Sequence, residues 1–275
     1  MVDLSQTSMH QLLLGFGLAA VVSLVAVRMR ALALSGGVAA TLVGGCVFGF
    51  GGWPAGVALL TFFVTATGLS RWRRRAKESL GFEKGGRRDA GQVLANGGVA
   101  AVAIVLAALL PHWRSALHLA FYAALAEANA DTWATEIGSA VGGAPRLITS
   151  FRPAHRGESG AVSLPGFAAA AAGAALVAGT LVFAAAGPGL VVDIVIVAFS
   201  GLFGSVVDSF LGAAVQAQYQ TDSQIEANNH KSRMTEIHEQ GARLVRGYTY
   251  IGNDSVNLVA TLAAATLGFV LNSLV

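Results

Sequence analysis

The sequence of 275 residues is short of charge, since only 12% of its residues are charged, whereas soluble domains carry about 25%. Its single cysteine, Cys46, excludes an internal disulfide and says nothing about the redox compartment. Its apolar runs are long and continuous, and they lack the alternation over about 10 residues that outer-membrane barrel strands show. Together with a hydrophobic content of 54%, these absences predict an α-helical membrane protein.

Two further motifs are missing. No Gly-x-x-x-x-Gly-Lys-(Ser/Thr) segment is present, which excludes a P-loop nucleotide site. The histidines show no close metal-ligand spacing, so we expect them at membrane interfaces and in solvated loops. The first apolar segment also lacks the basic leader of a signal peptide, and we predict that it is a mature helix.

The pattern of apolar segments predicts an all-α, polytopic helical bundle in the membrane, because about 20 apolar residues are needed to cross a bilayer. Eight spans are predicted at residues 9–27, 31–50, 53–70, 92–110, 116–140, 164–186, 189–216 and 254–274. Of the 18 Lys and Arg residues, all but Arg114 fall in loops 1–2, 3–4, 5–6 and 7–8. Because positive charge is retained in the cytoplasm, we predict that both termini lie on the non-cytoplasmic side.

We interpret residues 1–275 as a single transmembrane domain in a bacterial inner (plasma) membrane. Basic cytoplasmic loops are expected at about 71–91, 142–163 and 217–252. The last of these is long, polar and mixed in charge, and we expect it to form a partly helical cap. In the first, Arg71 and the arginines that follow it are expected to be membrane anchors.

Acidic side chains inside apolar spans are the most informative feature of the chain, because a carboxylate in hydrocarbon is costly and marks a functional site. Glu127 and Asp131 share a face of span five, where Glu136 follows, and Asp208 lies between serines in span seven. Carboxylates of this kind suit Mg²⁺ completed by substrate phosphates. The alternative is a set of interhelical hydrogen bonds or a buried ion pair.

Loop 3–4 predicts an anion site, because glycines and a helix start expose free backbone N–H groups. Lys84, Arg87 and Arg88 add positive charge, and Gln92 and Asn96 continue the polarity along one face of the helix. A phosphate is the expected ligand. The alternative is contact with lipid headgroups.

Two more polar segments lie at predicted span starts. Ser163 belongs to a Gly-, Ser- and Arg-containing segment of loop 5–6 that suits a second anion site, although a plain turn also explains it. Asn253, Asp254 and Asn257 begin span eight. Helix capping by Asn253 or Asp254 is the simple alternative there.

Five of these segments together resemble the DUF92/transmembrane protein 19 family, which includes phytyl-phosphate kinase. The resemblance covers roughly residues 30–275 and rests on the segments at 86–98, 130–138, 160–166, 204–213 and 253–257. The chain departs from the family pattern at residues 155–163, where relatives often have Pro-Gly-Thr-(Asn/Asp)-Gly-Gly-Val-Ser.

The resemblance implies a membrane kinase that transfers a phosphoryl group from a nucleoside triphosphate, expected to be CTP, to a prenyl monophosphate such as phytyl or geranylgeranyl phosphate. In that interpretation Asp131, Asp208 and Arg88 are catalytic and the cofactor is Mg²⁺. The site would face the cytoplasm and the bilayer would be a partner, with no nucleic acid. The alternatives are a prenyl-alcohol kinase, a lipid cytidylyltransferase or a secondary transporter of an anionic solute. A monomer and a homo-oligomer are both compatible with the sequence.

Overall fold

The computed structural model describes residues 9–72, 87–141, 143–222, 232–235 and 243–275. Within these residues the chain is mostly helical. The α-helices are α1 (Met9–Arg28), α2 (Leu34–Trp72), α3 (Ala90–Leu109), α4 (Arg114–Val141), α5 (Leu164–Gly179), α6 (Leu190–Ala214) and α7 (Asn253–Leu274), with short 3₁₀ segments at Pro111–Trp113 and Thr180–Phe183.

Helix α2 folds back on itself. It contains 39 residues, and a straight helix of that length would extend about 58 Å at 1.5 Å per residue. Gly52 interrupts it with a backbone conformation, φ 66° and ψ −160°, that favours glycine. A Cβ atom placed on Gly44 would lie 4.0 Å from Leu59 Cδ2, which requires the two arms to run side by side. The predicted spans at 31–50 and 53–70 are these two arms.

Each of the eight predicted spans corresponds to a helical segment when the arms of α2 are counted separately. By length and composition, six helices of the described residues are apolar enough to cross a membrane; α4 is the long helix that is not among them. Helix α4 nevertheless lies at the centre of the bundle, because it packs against α2, α3, α5, α6 and α7. The side of the membrane on which the termini lie stays a prediction.

The basic loops meet at one end of the bundle. The Ala33 N–H donates to Arg88 O at 2.9 Å and the Arg88 N–H donates to Ala31 O at 3.0 Å, so loops 1–2 and 3–4 pair directly. Loop 5–6 contains a short antiparallel pair, β1 (Arg146–Leu147) and β2 (Ala161–Val162). Loop 7–8 joins it through an ion pair between Arg246 Nη1 and Glu158 Oε1 at 3.2 Å.

The expectation of a partly helical cap in loop 7–8 is wrong for its described residues. They form an antiparallel three-stranded sheet in the order β4-β3-β5, from β3 (Gln218–Asp222), β4 (Ser232–Thr235) and β5 (Arg243–Arg246). The physical reason is local, because stretches such as Gln-Tyr-Gln-Thr and Arg-Leu-Val-Arg are short and contain the β-favouring side chains of Tyr, Thr and Val. The sheet lies at the same end as the other basic loops.

Candidate functional site: a charged cavity at one end of the bundle

A cavity of about 760 Å³ opens at the end of the bundle where the four loops meet. Residues of the predicted cytoplasmic loops 1–2, 3–4 and 5–6 contribute to its wall, as do the adjoining ends of α2 to α7. Among the predicted site residues, the cavity is lined by Arg87, Arg88, Gln92, Asn96, Asp131, Glu136, Ser163, Asp208, Asn253 and Asn257. These ten predicted residues come from five separate segments of the sequence. Lys84 lies outside the described residues.

The acids at the inner side of the cavity form a cluster around Glu127. Asp131 of α4 and Asp208 of α6 line the cavity, and both interact electrostatically with Glu127. Glu127 itself lies beneath the cavity wall at 1% exposure. Neither of its carboxylate oxygens has a hydrogen-bond partner among the described residues. A buried carboxylate without such partners is costly and calls for a cation, a proton or water.

Glycines on α6 allow this cluster to form. A Cβ on Gly204 would overlap the side chain of Glu127, and a Cβ on Gly201 would lie 2.6 Å from Ala126 Cβ. Helix α6 can therefore approach α4 closely enough to bring Asp208 beside Glu127 and Asp131. This is the close backbone approach that small residues permit between membrane helices.

Helix α7 holds Asp208 from the other side. With its amide oriented to face the surrounding acceptors, Asn257 donates from Nδ2 to Asp208 Oδ2 at 3.0 Å and to Asn253 O at 3.1 Å. The side-chain amides of Asn257 and Asn96 also lie 3.4 Å apart, and Asn96 Nδ2 donates to Gln92 O at 2.8 Å. In this orientation Asn257 links α7 to Asp208 of α6, and its amide lies beside the amide of Asn96 on α3.

Glu136 belongs to a different part of the cavity. Its Oε1 accepts a hydrogen bond from Ser70 Oγ at 2.6 Å, and its carboxylate interacts with Arg88. The positions of Asp131 and Glu136 on one helix explain the separation, because five residues rotate a helical side chain to another face. The four carboxylates predicted as metal ligands are thus divided between the Glu127 cluster and a Ser70–Arg88 environment.

The position of Arg88 is fixed by backbone pairing with loop 1–2 and by a contact with an aromatic ring. Its guanidinium carbon lies 5.5 Å from the centroid of the Phe62 ring, and its backbone pairs with loop 1–2. Burial lowers the pKa of the Arg88 guanidinium, and the Glu136 carboxylate opposes that shift. Arginine nevertheless stays protonated at neutral pH because its ordinary pKa is so high. A fixed positive charge is therefore available to the cavity.

Further arginines surround the opening, and some of them were not predicted as ligands. Arg71, expected to be a membrane anchor, lines the cavity and donates from Nη2 to Met29 O at 2.5 Å. The anchor interpretation of Arg71 is therefore incomplete. The arginines that line the cavity are Arg30, Arg71, Arg87, Arg88, Arg146 and Arg156. Such a ring favours a ligand that carries several negative charges.

Several predicted ligands also have structural roles. Ser163 Oγ accepts from the Gly166 N–H at 3.3 Å and caps α5. Gln92 completes a capping box with Asp89 at the start of α3: the Gln92 N–H donates to Asp89 Oδ1 at 3.1 Å, and the Asp89 N–H donates to Gln92 Oε1 at 3.4 Å. The role of Asp89 was missed, although Asp three residues before Gln is a recognisable capping signal.

The start of α7 lacks the side-chain cap that the alternative interpretation of Asn253 and Asp254 requires. Gly252 is the N-cap residue, and no side chain caps this helix. Capping by Asn253 or Asp254 is therefore wrong as an explanation of their polarity. Asp254 does not line the cavity; it lies against the start of α3, where a Cβ on Gly91 would overlap its Oδ2.

The acids near Glu127 suit a divalent cation that is completed by a ligand. Within the described ranges, no group of three or more His, Cys, Asp or Glu side chains is arranged to hold a metal ion alone. Mg²⁺ is commonly bound by one or two carboxylates together with substrate phosphates and water. Asp131 and Asp208 at the cavity wall fit that partial set, with the unpartnered Glu127 carboxylate beside them.

The fold and cavity define a polytopic integral membrane protein whose polar site is built from loops at one end of a helical bundle. The family described as "Integral membrane protein DUF92" matches residues 17–265, and the chain belongs to this family. The family resemblance drawn from the five sequence segments is thereby confirmed.

Three relatives illustrate the spread of the family. The chain is 34% identical to Protein PGR of Arabidopsis thaliana over 212 residues, which are 69% of this chain and 73% of the plant protein. It is 29% identical to an uncharacterized membrane protein of Methanocaldococcus jannaschii over 70% of this chain and 78% of that protein. A Synechocystis membrane protein is 28% identical over 60% of this chain and 62% of its own length. No solved structure matches the chain.

Proposed function

We propose that the protein is a membrane-embedded, Mg²⁺-dependent phosphotransferase that acts on a prenyl monophosphate. The proposal rests on one observation: Asp131 and Asp208 line the same cavity as arginines from separate loops. Phosphoryl transfer requires chiefly positioning and charge neutralisation, which this combination of groups can supply. The prenyl acceptor and CTP as donor follow from the family resemblance.

In the proposed reaction, a phosphate oxygen of the monophosphate attacks the γ-phosphorus of the nucleoside triphosphate. A new P–O bond forms, the bond from the γ-phosphorus to the β–γ bridging oxygen breaks, and the nucleoside diphosphate leaves with that electron pair. The products are a prenyl diphosphate and a nucleoside diphosphate. The nucleophile is already an anionic oxygen, so the transfer needs no strong general base from the protein.

The residues take distinct roles in this scheme. Asp131 and Asp208, with Glu127 behind them, would hold Mg²⁺, which neutralises phosphate charge when it is bound. Arg88 would stabilise the transferring phosphoryl group, and the other cavity arginines would bind the remaining phosphates. Asn257 acts on Asp208 as a positioning residue through its hydrogen bond of 3.0 Å.

The access route to the acids favours a kinase over a transporter. A transporter needs access that alternates between the two faces of the membrane. Here the acids share one cavity with the basic loops, which suits a soluble nucleotide approaching from one side. We further propose that this side is the cytoplasm, the compartment that holds nucleoside triphosphates, and that the membrane is a bacterial inner membrane.

The direct test is phosphotransfer by the full chain in lipid nanodiscs. The protein is incubated with Mg²⁺, CTP or ATP labelled at the γ-phosphate, and a panel of prenyl alcohols and monophosphates. We expect label in a prenyl diphosphate. Label only on alcohols would replace the proposal with an alcohol kinase, and a nucleotidyl product seen with α-labelled CTP would replace it with a cytidylyltransferase. Uptake of an anion into sealed vesicles without any transfer would favour a transporter.

A further inference from the structure

One side of the cavity is apolar and is formed by α5 and α6. Helix α5 contributes Phe167 and Ala170, and α6 contributes Leu202 and Val206. About 18 Å of helix separates Leu202 from the end of α6, at 1.5 Å per residue, so the cavity extends well into the roughly 30 Å hydrocarbon layer. The cavity therefore combines arginines at its mouth, acids on α4 and α6, and hydrocarbon side chains on the side formed by α5 and α6.

The apolar part borders the outer surface of the bundle. Phe167 lines the cavity and is 49% exposed. On α6, Val206 lies one turn from Phe203 and Phe210, which are 41% and 53% exposed. Phe203 and Phe210 do not line the cavity. The cavity face of α6 therefore adjoins its lipid-exposed face on the side of Val206.

The same two helices are closed at their opposite ends. Val177 and Ala178 of α5 are fully buried, and Ile196 and Val197 of α6 are 7% and 0% exposed in the same hydrophobic cluster. The cavity-lining residues Phe167 and Val206 lie in the loop-proximal halves of α5 and α6, next to apolar side chains that are exposed on the outer surface of the bundle.

We propose that a gap between α5 and α6 forms a portal that holds the hydrocarbon tail of an amphiphilic monophosphate. The tail lies past Phe167 and Val206 toward the lipid, and the phosphate lies in the charged chamber beside Asp131 and Asp208. A tail in this position stays among apolar groups while its head reaches the arginines. The nature of the head group rests on the proposed function; the location of the tail rests on the two helices.

A competing position exists in the described part of the chain. A separate apolar crevice of about 80 Å³ lies between α1, α2 and α3 and shares Arg88, Gln92 and Asn96 with the main cavity. It is narrower and is also lined by Phe48 and Phe63. A tail in this crevice would be the clearest contradiction of the α5–α6 portal.

The test uses a geranylgeranyl monophosphate with a diazirine in the part of its tail nearest the phosphate. The full chain in nanodiscs is photolabelled, and the modified peptides are mapped by mass spectrometry, with and without excess unlabelled geranylgeranyl monophosphate. We expect competable labelling around Phe167 and Val206. Labelling around Phe48 and Phe63, or labelling that the competitor does not reduce, would overturn the proposal. This measurement requires no catalysis.

A matched pair of substitutions narrows the portal. Val206→Trp adds a ring at the gap, whereas Phe203→Trp places the same ring on the lipid-exposed side of the same helix. We expect Val206→Trp to reduce specific labelling at least about tenfold, and Phe203→Trp to change it less than about twofold. Equal effects of the two substitutions in proteins with the same size-exclusion profile would contradict the portal.

Activity then separates the two proposals. If the proposed transfer occurs, Val206→Trp should lower kcat/KM for geranylgeranyl monophosphate at least about tenfold and for short dimethylallyl monophosphate less than about threefold. An equal loss for both substrates would count against a tail site at this position. If wild-type protein transfers no phosphate but is labelled competably at the gap, the kinase proposal fails and the portal stands.

Discussion

The two ends of the helical bundle differ more than its helices do. At one end, where the four basic loops meet, three of them line a cavity of about 760 Å³ that is also lined by carboxylates and arginines. At the other end the connections are short, and Trp113 packs against Phe269 with ring centroids 5.4 Å apart. None of the cavity-lining residues belongs to the connections at this second end. The comparison shows that charge is concentrated where loops create space for water and ligand, while the opposite end is closed by apolar and aromatic packing.

The strongest test of the difference between the two ends replaces one acid at each end with its amide. We expect Asp131→Asn to reduce phosphotransfer at least about 1,000-fold, because it removes a charge proposed to bind the metal. Asp193→Asn, in the first turn of α6 at the far end of the bundle, should leave the rate within about twofold. Initial rates in nanodiscs measure both. If Asp131→Asn keeps more than a tenth of the wild-type rate, the assignment of the metal to this cluster is wrong.

Two arginines near the same membrane surface test whether the cavity itself binds the phosphates. Arg88→Ala should weaken nucleotide or monophosphate binding about 100-fold, since a fixed charge-assisted contact to phosphate is lost. Arg28 is exposed at the end of α1 and does not line the cavity, so Arg28→Ala should change binding less than about twofold. Isothermal titration with Mg²⁺ present gives both values. Similar losses in the two variants would indicate a general surface-charge effect rather than a site.

A third substitution distinguishes a polar residue of α4 that stabilises the fold from the residues of α4 that are proposed to take part in phosphoryl transfer. Asn129 Oδ1 accepts from Thr65 Oγ1 at 2.9 Å, and its Nδ2 donates to Gly173 O at 2.8 Å, so it joins three helices. We expect Asn129→Leu to lower the free energy of unfolding by about 1–2 kcal/mol. The rate per folded molecule should be retained. Thermal unfolding in detergent and the transfer assay give the two readouts.

The control for Asn129 is Thr266→Val. Thr266 is exposed, and among the described residues its hydroxyl bonds to Leu262 O of its own helix at 2.8 Å. Its loss should cost less than about 0.5 kcal/mol. If Asn129→Leu abolishes transfer without lowering the free energy of unfolding, Asn129 takes part in the reaction. Its assignment as a structural residue of α4 is then wrong.

The smallest effect is expected for the contact between loops 5–6 and 7–8. Arg246 pairs with Glu158 at 3.2 Å and also donates to Ser159 O at 2.7 Å, at the edge of the cavity. In a double-mutant cycle with Glu158→Gln and Arg246→Gln, we expect a coupling energy of about 1 kcal/mol in thermal unfolding. Arg152→Gln, an exposed change in the same loop, serves as the reference. A coupling near zero would show that the two loops are positioned by other contacts.

The sequence predicted the helices well because each apolar segment must bury its own backbone polar groups in the membrane. It also identified the polar faces in α3, α4, α6 and α7, since intramembrane acids and amides are rare enough to be informative. The sheet of loop 7–8 was missed because its strands are only four or five residues long, too short for a clear periodic pattern. Ser70 was missed for a similar reason: nothing in its local sequence indicates its bond to Glu136.

The composition and the order of apolar and basic segments determined by themselves that this chain is a helical membrane protein and which segments carry its polar groups. Only the tertiary structure decided that Asp131 and Asp208 lie together with Glu127, while Glu136 interacts with Ser70 and Arg88. The reason is geometric. Helical periodicity sets the face on which a side chain lies, but the packing of α6 and α7 against α4 determines which faces meet.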